Sequence, residues 1–141
     1  MIRLNPYMTF NGSCREAMTF YKECFGGDLT FMTLGESPVA DKFPDDMQDR
    51  ILHSMLANDG IVLMATDCAR SDEKFNPGND MSLTLNFDNE EELNKIFSKL
   101  SESGNVIDPV KKQFWGGTFG VVRDKFGKTW MVEYSEEEPK K

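Results

Sequence analysis

The sequence predicts an α+β fold made of two copies of a strand–helix–strand–strand–strand unit. Three observations predict it. Two stretches pair a helix-capping signature with apolar residues at three- and four-residue spacing. Short aromatic and aliphatic segments, bounded by glycine, asparagine and proline, surround both stretches. The order of these segments restarts after residue 80.

Residues 4–10 form the first predicted strand, ended by the turn signal Asn11-Gly12. Ser13 and Glu16 stand at capping-box spacing. Behind them Cys14, Ala17, Met18, Tyr21 and Phe25 fall on one face of a helix, and Gly26-Gly27 stops it. Residues 29–34 are the second strand. Residues 35–48 are polar, carry Pro38 and Pro44, and read as a loop. Residues 51–58 and 61–66 are two strands joined at Asp59-Gly60, a hairpin signal.

After a loop over residues 67–80, the pattern repeats. Residues 81–87 are a strand. Asn89 and Glu92 resemble a second capping box, with Leu93, Ile96, Phe97 and Leu100 as the helix stripe and Gly104 as its stop. Residues 106–111 are a strand whose Pro109 fits a sheet edge or a bulge. Residues 117–123 and 128–134 flank a turn at Asp124–Gly127. The expected organisation is one domain over residues 1–141. It holds modules at 4–66 and 81–134 and a charged tail at 135–141, with too little core in either module alone.

The chain has 141 residues, with 16 basic against 24 acidic side chains and a net charge of −8. Such an acidic chain repels phosphate backbones and anionic lipid, which argues against nucleic-acid and membrane partners. No apolar run reaches the roughly 20 residues of a membrane span. The first ten residues lack the apolar core of a signal peptide, so a cytoplasmic location is expected. The three cysteines, Cys14, Cys24 and Cys68, include no CxxC pair. On one helix, Cys14 and Cys24 stand roughly 15 Å apart, too far for a disulfide, so reduced thiols are expected.

Several motifs carry a resemblance to a known family. Residues 17–27, AMTFYKECFGG, are similar to the A-x-x-F-Y-x-x-x-L-G-G helix of the vicinal oxygen chelate superfamily. That superfamily holds glyoxalase I, extradiol dioxygenases and bleomycin-resistance proteins. Asp124–Gly127, DKFG, resembles its D-P-x-G turn, with Lys125 where proline is usual. ILHSML at 51–56, LMATD at 63–67, FWGGTFG at 114–120 and FGKTWM at 126–131 resemble its PhnB-like group. The resemblance implies two βαβββ modules whose sheets close around a concave cup, with helices outside. It also implies a small-molecule ligand and a homodimer. Strand parity agrees: in residues 81–87 the apolar set Met81, Leu83, Leu85 and Phe87 opposes the polar set Ser82, Thr84 and Asn86.

Metal-bearing members of that superfamily hold a divalent ion with His and Glu side chains from four strands. The matching positions here are Pro6, Leu63 or Met64, Ser82 and Met131. None is a ligand for a hard divalent ion, so no metal and no cofactor are expected. His53, the only histidine, lies on a strand that supplies no metal ligand in those members.

The candidate pocket residues are His53, Met55, Met64, Ser82, Thr84, Trp115, Phe119, Met131 and Glu133. His53 shares its strand face with Ile51, Met55 and Ala57 by parity. It is either a hydrogen-bonded strand histidine or a proton carrier. Glu133 is either a pocket anion or a strand-end charge. Trp115 and Phe119 lie among close glycines and form either an aromatic wall for a ligand or a packing surface. Tyr7 alternates with Met8 and is expected to face a helix. Trp130, Val132 and Tyr134 oppose Met131 and Glu133 and read as core.

Four functions remain open at this point. One is a metal-free small-molecule pocket. The second is an enzyme using His53 and Glu133 as acid and base. The third is sequestration of a cationic drug, as in bleomycin-resistance proteins. The fourth is a metal-dependent lyase or dioxygenase. The demethylubiquinone methyltransferase name often given to PhnB-like chains is doubtful, because no glycine-rich phosphate or S-adenosyl loop is present.

Overall fold

The structure, a computed structural model, describes residues 1–67 and 74–135. Cys68, and the expected solvated run Glu136–Glu138 with most of the tail, lie outside the described residues. The chain divides after Pro77 into two compact units. Each unit has the same order of elements, strand–helix–strand–strand–strand.

The first unit holds β1 (Tyr7–Thr9), α1 (Cys14–Phe25), β2 (Asp28–Thr33), β3 (Ile51–Asn58) and β4 (Ile61–Thr66). Its sheet runs β1-β4-β3-β2, with β1 parallel to β4 and the other pairs antiparallel. The second unit holds β5 (Leu83–Phe87), α2 (Glu90–Leu100), β6 (Asn105–Lys112), β7 (Thr118–Arg123) and β8 (Thr129–Tyr134). Its sheet runs β5-β8-β7-β6, again parallel only between first and last strands. The terminal strands β1 and β5 start at Tyr7 and Leu83, later than the apolar pattern suggests. Leu4 and Met81, which extend that pattern, are 95% and 79% exposed and have nothing to pack on.

Each helix covers one face of its sheet. The stripe of α1 is fully buried: Cys14, Ala17, Met18, Tyr21 and Phe25 all face inward. It rests on β2, β3 and β4. Leu29, Phe31, Leu56, Leu63, Ala65 and Met8 share the receiving face by register. In the second unit Leu93, Phe97 and Leu100 of α2 are buried against a sheet face that carries Trp130, Val132 and Val122. Trp130 and Val132 are core, as parity predicts. Cys14 and Cys24 are both buried, and the Cys14 sulfur lies 3.5 Å from the Ser54 hydroxyl. Among the described residues no helix is long and apolar enough to cross a membrane.

The entry to α1 corrects the sequence reading. Ser13 makes no side-chain cap bond. The capping oxygen comes instead from Asp67, just past β4. Its Oδ1 accepts from the N–H of Gly12 (2.9 Å) and of Cys14 (3.0 Å), and its Oδ2 from the N–H of Ile51 (3.1 Å). The second helix behaves as read: the Asn89 side chain accepts from the N–H of Glu92 at 2.9 Å. It ends at Leu100, before Gly104, where the bonds tighten to three-residue spacing, Glu102 N–H to the Lys99 carbonyl and Gly104 N–H to the Ser101 carbonyl, and Ser103 turns to φ 57°. Gly27 follows α1 at φ 105°, and a Cβ there would lie 2.5 Å from the Ala57 carbonyl oxygen. Only glycine lets the chain pass so close to β3.

Residues 35–50 are not wholly irregular. They contain two short 3-10 turns, Ala40–Lys42 and Asp45–Met47. The Gln48 amide ties them together by donating to the carbonyls of Ala40, Phe43 and Pro44. β6 lies at the edge of its sheet, and its register shifts on both sides of Asp108. Pro109 therefore sits where a missing N–H costs least.

Two stability outcomes follow. Asp67→Ala removes the carboxylate that accepts from these three N–H groups, and chemical denaturation should show a loss of about 3 kcal/mol. Ser13→Ala should change stability by less than about 0.5 kcal/mol. The Glu36 carboxylate accepts from the Thr33 hydroxyl (2.8 Å) and N–H (3.1 Å). These bonds hold its pKa below the ordinary value. Its contribution is present above the unfolded pKa and is lost as pH falls through the folded one. Unfolding of Glu36→Gln should therefore depend less on pH at the acid end than that of the native chain.

Candidate functional site

The face of the first sheet turned away from α1 is built by register. Tyr7 pairs with Met64, Met64 with Met55, and Met55 with Thr30, giving one row across four strands. In the next row His53 pairs with Met32. Cross-strand partners share a face, so His53, Met55, Met64, Met32 and Tyr7 all lie on it.

His53 is half-buried here, and its partner is Tyr7. The Tyr7 hydroxyl lies 3.3 Å from Nδ1, and the ring centroids are 5.9 Å apart. Either tautomer satisfies the contact. Tyr7 can donate to Nδ1, or Nδ1–H can donate to the phenol oxygen. Among the described residues no protein group hydrogen-bonds Nε2. The pair thus presents an imidazole nitrogen beside the thioethers of Met32, Met55 and Met64.

Two sequence expectations fail on this face. Tyr7 is 51% exposed and does not face the helix; Met8, 7% exposed, does. The apolar pair Met8 and Phe10 alternates with Tyr7 and Thr9, and that alternation was the signal for the true orientation. Ile51 does not share the face of His53. Register jumps from Met32–His53 to Thr33–Ile51, so one extra residue, Leu52, is accommodated in β3. That bulge turns Ile51 to the helix side, where it is 1% exposed.

The second sheet presents a different chemistry on its own helix-free face. One row joins Thr84, Met131, Val121 and Asp108; the next joins Asn86, Glu133, Phe119 and Lys111. The Thr84 hydroxyl lies 3.9 Å from the Met131 sulfur. Glu133 is half-buried, with Asn86 and Phe119 as its cross-strand neighbours. Trp115 meets Phe119 edge-on at 6.2 Å and Phe114 at 5.0 Å. The indole folds back over the hairpin, and a Cβ on Gly117 would lie 2.7 Å from its Nε1. Glycine at 117 is what admits the ring. Phe114 itself is 96% exposed.

The candidate residues therefore fall into two groups. His53, Met55 and Met64 come together in the first unit. Thr84, Phe119, Met131, Glu133 and Trp115 line neighbouring rows in the second. Ser82 is half-buried just before β5, outside its ladder. Sequence reasoning missed Tyr7 and Met32 as members of these faces, while strand parity already placed Asn86 opposite the apolar set.

A divalent ion at the positions used by metal-bearing relatives would find poor donors. Pro6 has no side-chain donor. Leu63 faces the helix and is 3% exposed, which leaves Met64 as the position on the open face. Ser82 and Met131 complete the set. Among the described residues no group of three or more His, Cys, Asp or Glu side chains could hold a metal ion. The residues do not fit a hard divalent ion.

Comparison with known proteins agrees with this architecture. A family model described as the Glyoxalase/Bleomycin resistance protein/Dioxygenase superfamily matches residues 3–132. Protein YjdN of Escherichia coli (strain K12) is 30% identical over 145 residues, covering 96% of this chain and 97% of that one. The crystal structure of PA1353 from Pseudomonas aeruginosa superposes with a TM-score of 0.85 at 34% identity, over 97% of this chain and 100% of the other. A PhnB protein from Bacillus cereus, provisionally named a 3-demethylubiquinone-9 3-methyltransferase, gives 0.71 at 23% identity, over 95% and 100%.

Tyr7→Phe tests the orientation of His53. The nitrogen NMR shifts of Nδ1 and Nε2 should move toward those of an unrestrained tautomer mixture. Stability should fall by no more than about 1 kcal/mol, since the contact is partly solvated.

Proposed function

Because the chain belongs to the glyoxalase/bleomycin resistance protein/dioxygenase superfamily, we propose that it binds a small organic molecule without a hard divalent ion. His53, held by Tyr7, is the polar anchor of that site. The observation that carries this reading is the Tyr7–His53 contact on the face that also carries Met55, Met64 and Met32. Adaptable apolar side chains around one or two polar groups are what a small-molecule site needs. Taken by itself, the second unit offers its own candidate ligand face, with Thr84 and Met131 in one row and Ser82 just before it. In the cytoplasm, as a homodimer, the chain would present each of these faces twice.

Two roles are available to such a site. In the catalytic one, His53 moves a proton at Nε2 on the face of the first unit, and Glu133 is the acid–base candidate on the second unit's own face. In the binding one, the protein sequesters a flat cation in the manner of bleomycin-resistance proteins. Glu133 beside Phe119 and the Trp115 edge favours this second role. A methyltransferase role gains no support, because no glycine-rich cofactor loop is present in the sequence.

A thermal-shift panel of organic cations, quinones and 2-oxo compounds tests the reading. A ligand at 100 times its Kd stabilises by about 2.7 kcal/mol. His53→Ala should weaken a captured ligand about tenfold, equivalent to about 1.4 kcal/mol. If every captured ligand is indifferent to His53→Ala, the anchor is wrong. If the protein retains a stoichiometric divalent ion and binds only with it, the metal-free site is wrong.

A further inference from the structure

The face that carries His53 also carries three thioethers, and their placement has a chemistry of its own. Met55 stands directly opposite Met64, and Met32 directly opposite His53. His53 and Met55 are alternate residues of β3, so they point the same way. Neighbouring strands lie about 4.8 Å apart and alternate residues about 6.8 Å apart. The four side chains therefore rise from a compact patch spanning three adjacent strands. Methionine is unbranched with three rotatable bonds, so its sulfur can reach a common point above such a patch.

The imidazole is prepared for ligation. Nδ1 is engaged by the Tyr7 hydroxyl at 3.3 Å, and Nε2 has no hydrogen-bond partner among the described residues. When Nδ1–H donates to the phenol oxygen, Nε2 carries the outward lone pair. That arrangement is typical of metal-bound histidines, whose second nitrogen is held by an outer partner. The donor set is neutral: three thioethers and one imidazole. It offers no carboxylate or thiolate to offset a double positive charge, but it matches soft monovalent ions.

We propose that Met32, Met55, Met64 and His53 Nε2 form a binding site for a soft monovalent metal ion, Cu(I) or its analogue Ag(I). Tyr7 is the positioning residue for His53. The site is independent of any organic ligand, and such a ligand would compete with the ion for Nε2.

The test is titration of the full chain with Ag(I), followed by NMR of the methionine methyl groups and of the imidazole nitrogens. The expected result is one ion per chain. The methyl signals of Met32, Met55 and Met64 and the Nε2 signal should shift, while that of Met81 stays in place. Competition with a Cu(I) chelator should show affinity falling at least about 100-fold in a Met55→Leu, Met64→Leu double variant, a volume-conserving change. Met81→Leu, at a 79% exposed methionine of the second unit, should leave affinity unchanged. The proposal is overturned if silver is held by cysteine alone with the three methyl signals unmoved. It is also overturned if the folded double variant binds as tightly as the native chain, or if Zn(II) competes equally.

Discussion

The Asp67 carboxylate is the constraint on which the first unit depends. It collects three N–H donors from three separate places: the turn before α1, the first turn of α1, and the start of β3. A helix N-terminus attracts negative charge, and a buried carboxylate needs donors; each requirement answers the other. Arg50 reinforces the junction by donating to the Asp67 carbonyl and to the Asn11 side chain. With α1 fixed over one face of the sheet, the other face is left to Tyr7, His53 and the methionines. The second unit uses an aspartate differently. Asp124 accepts from the N–H of Phe126 and Lys128 and from the Trp130 indole, tying the last turn to the largest core side chain.

The two units share topology and differ in what they display. Both sheets place a parallel first strand beside their last and carry a helix on one face. On the opposite face one shows an imidazole, a phenol and thioethers. The other shows a carboxylate, an amide and aromatic edges. Because side chains alternate along each strand, these faces can change without disturbing residues that pack on the helices. Divergence of the site therefore needs no divergence of the core.

Much of this was legible in the sequence, for identifiable reasons. Helix spacing places Cys14, Ala17, Met18, Tyr21 and Phe25 on one stripe, and all are buried. The Asp59-Gly60 hairpin and the Pro109 edge strand follow from local backbone chemistry. What escaped is long-range. The cap of α1 comes from a residue 53 positions beyond Cys14, so the local Ser13 signature misled. The bulge at Leu52 reverses the parity of Ile51, and nothing in its composition announces that. Tyr7 was misassigned because an aromatic ring in a short strand suggests burial, although its alternation with Met8 and Phe10 says otherwise. Its partnership with His53, 46 positions away, is visible only once β1 and β3 are in one sheet.

The edge strand β6 bears on how copies of this chain behave toward each other during folding. An outer strand with a regular row of free N–H and C=O groups is a template for another chain to extend the sheet. In β6 that row is broken by Pro109 and by register shifts on either side of Asp108, and Lys111 and Lys112 add charge near its end. An incoming strand would lose pairing partway along and meet a double positive charge. The same irregularity that ends the ladder therefore guards the second unit against open-ended stacking into fibres.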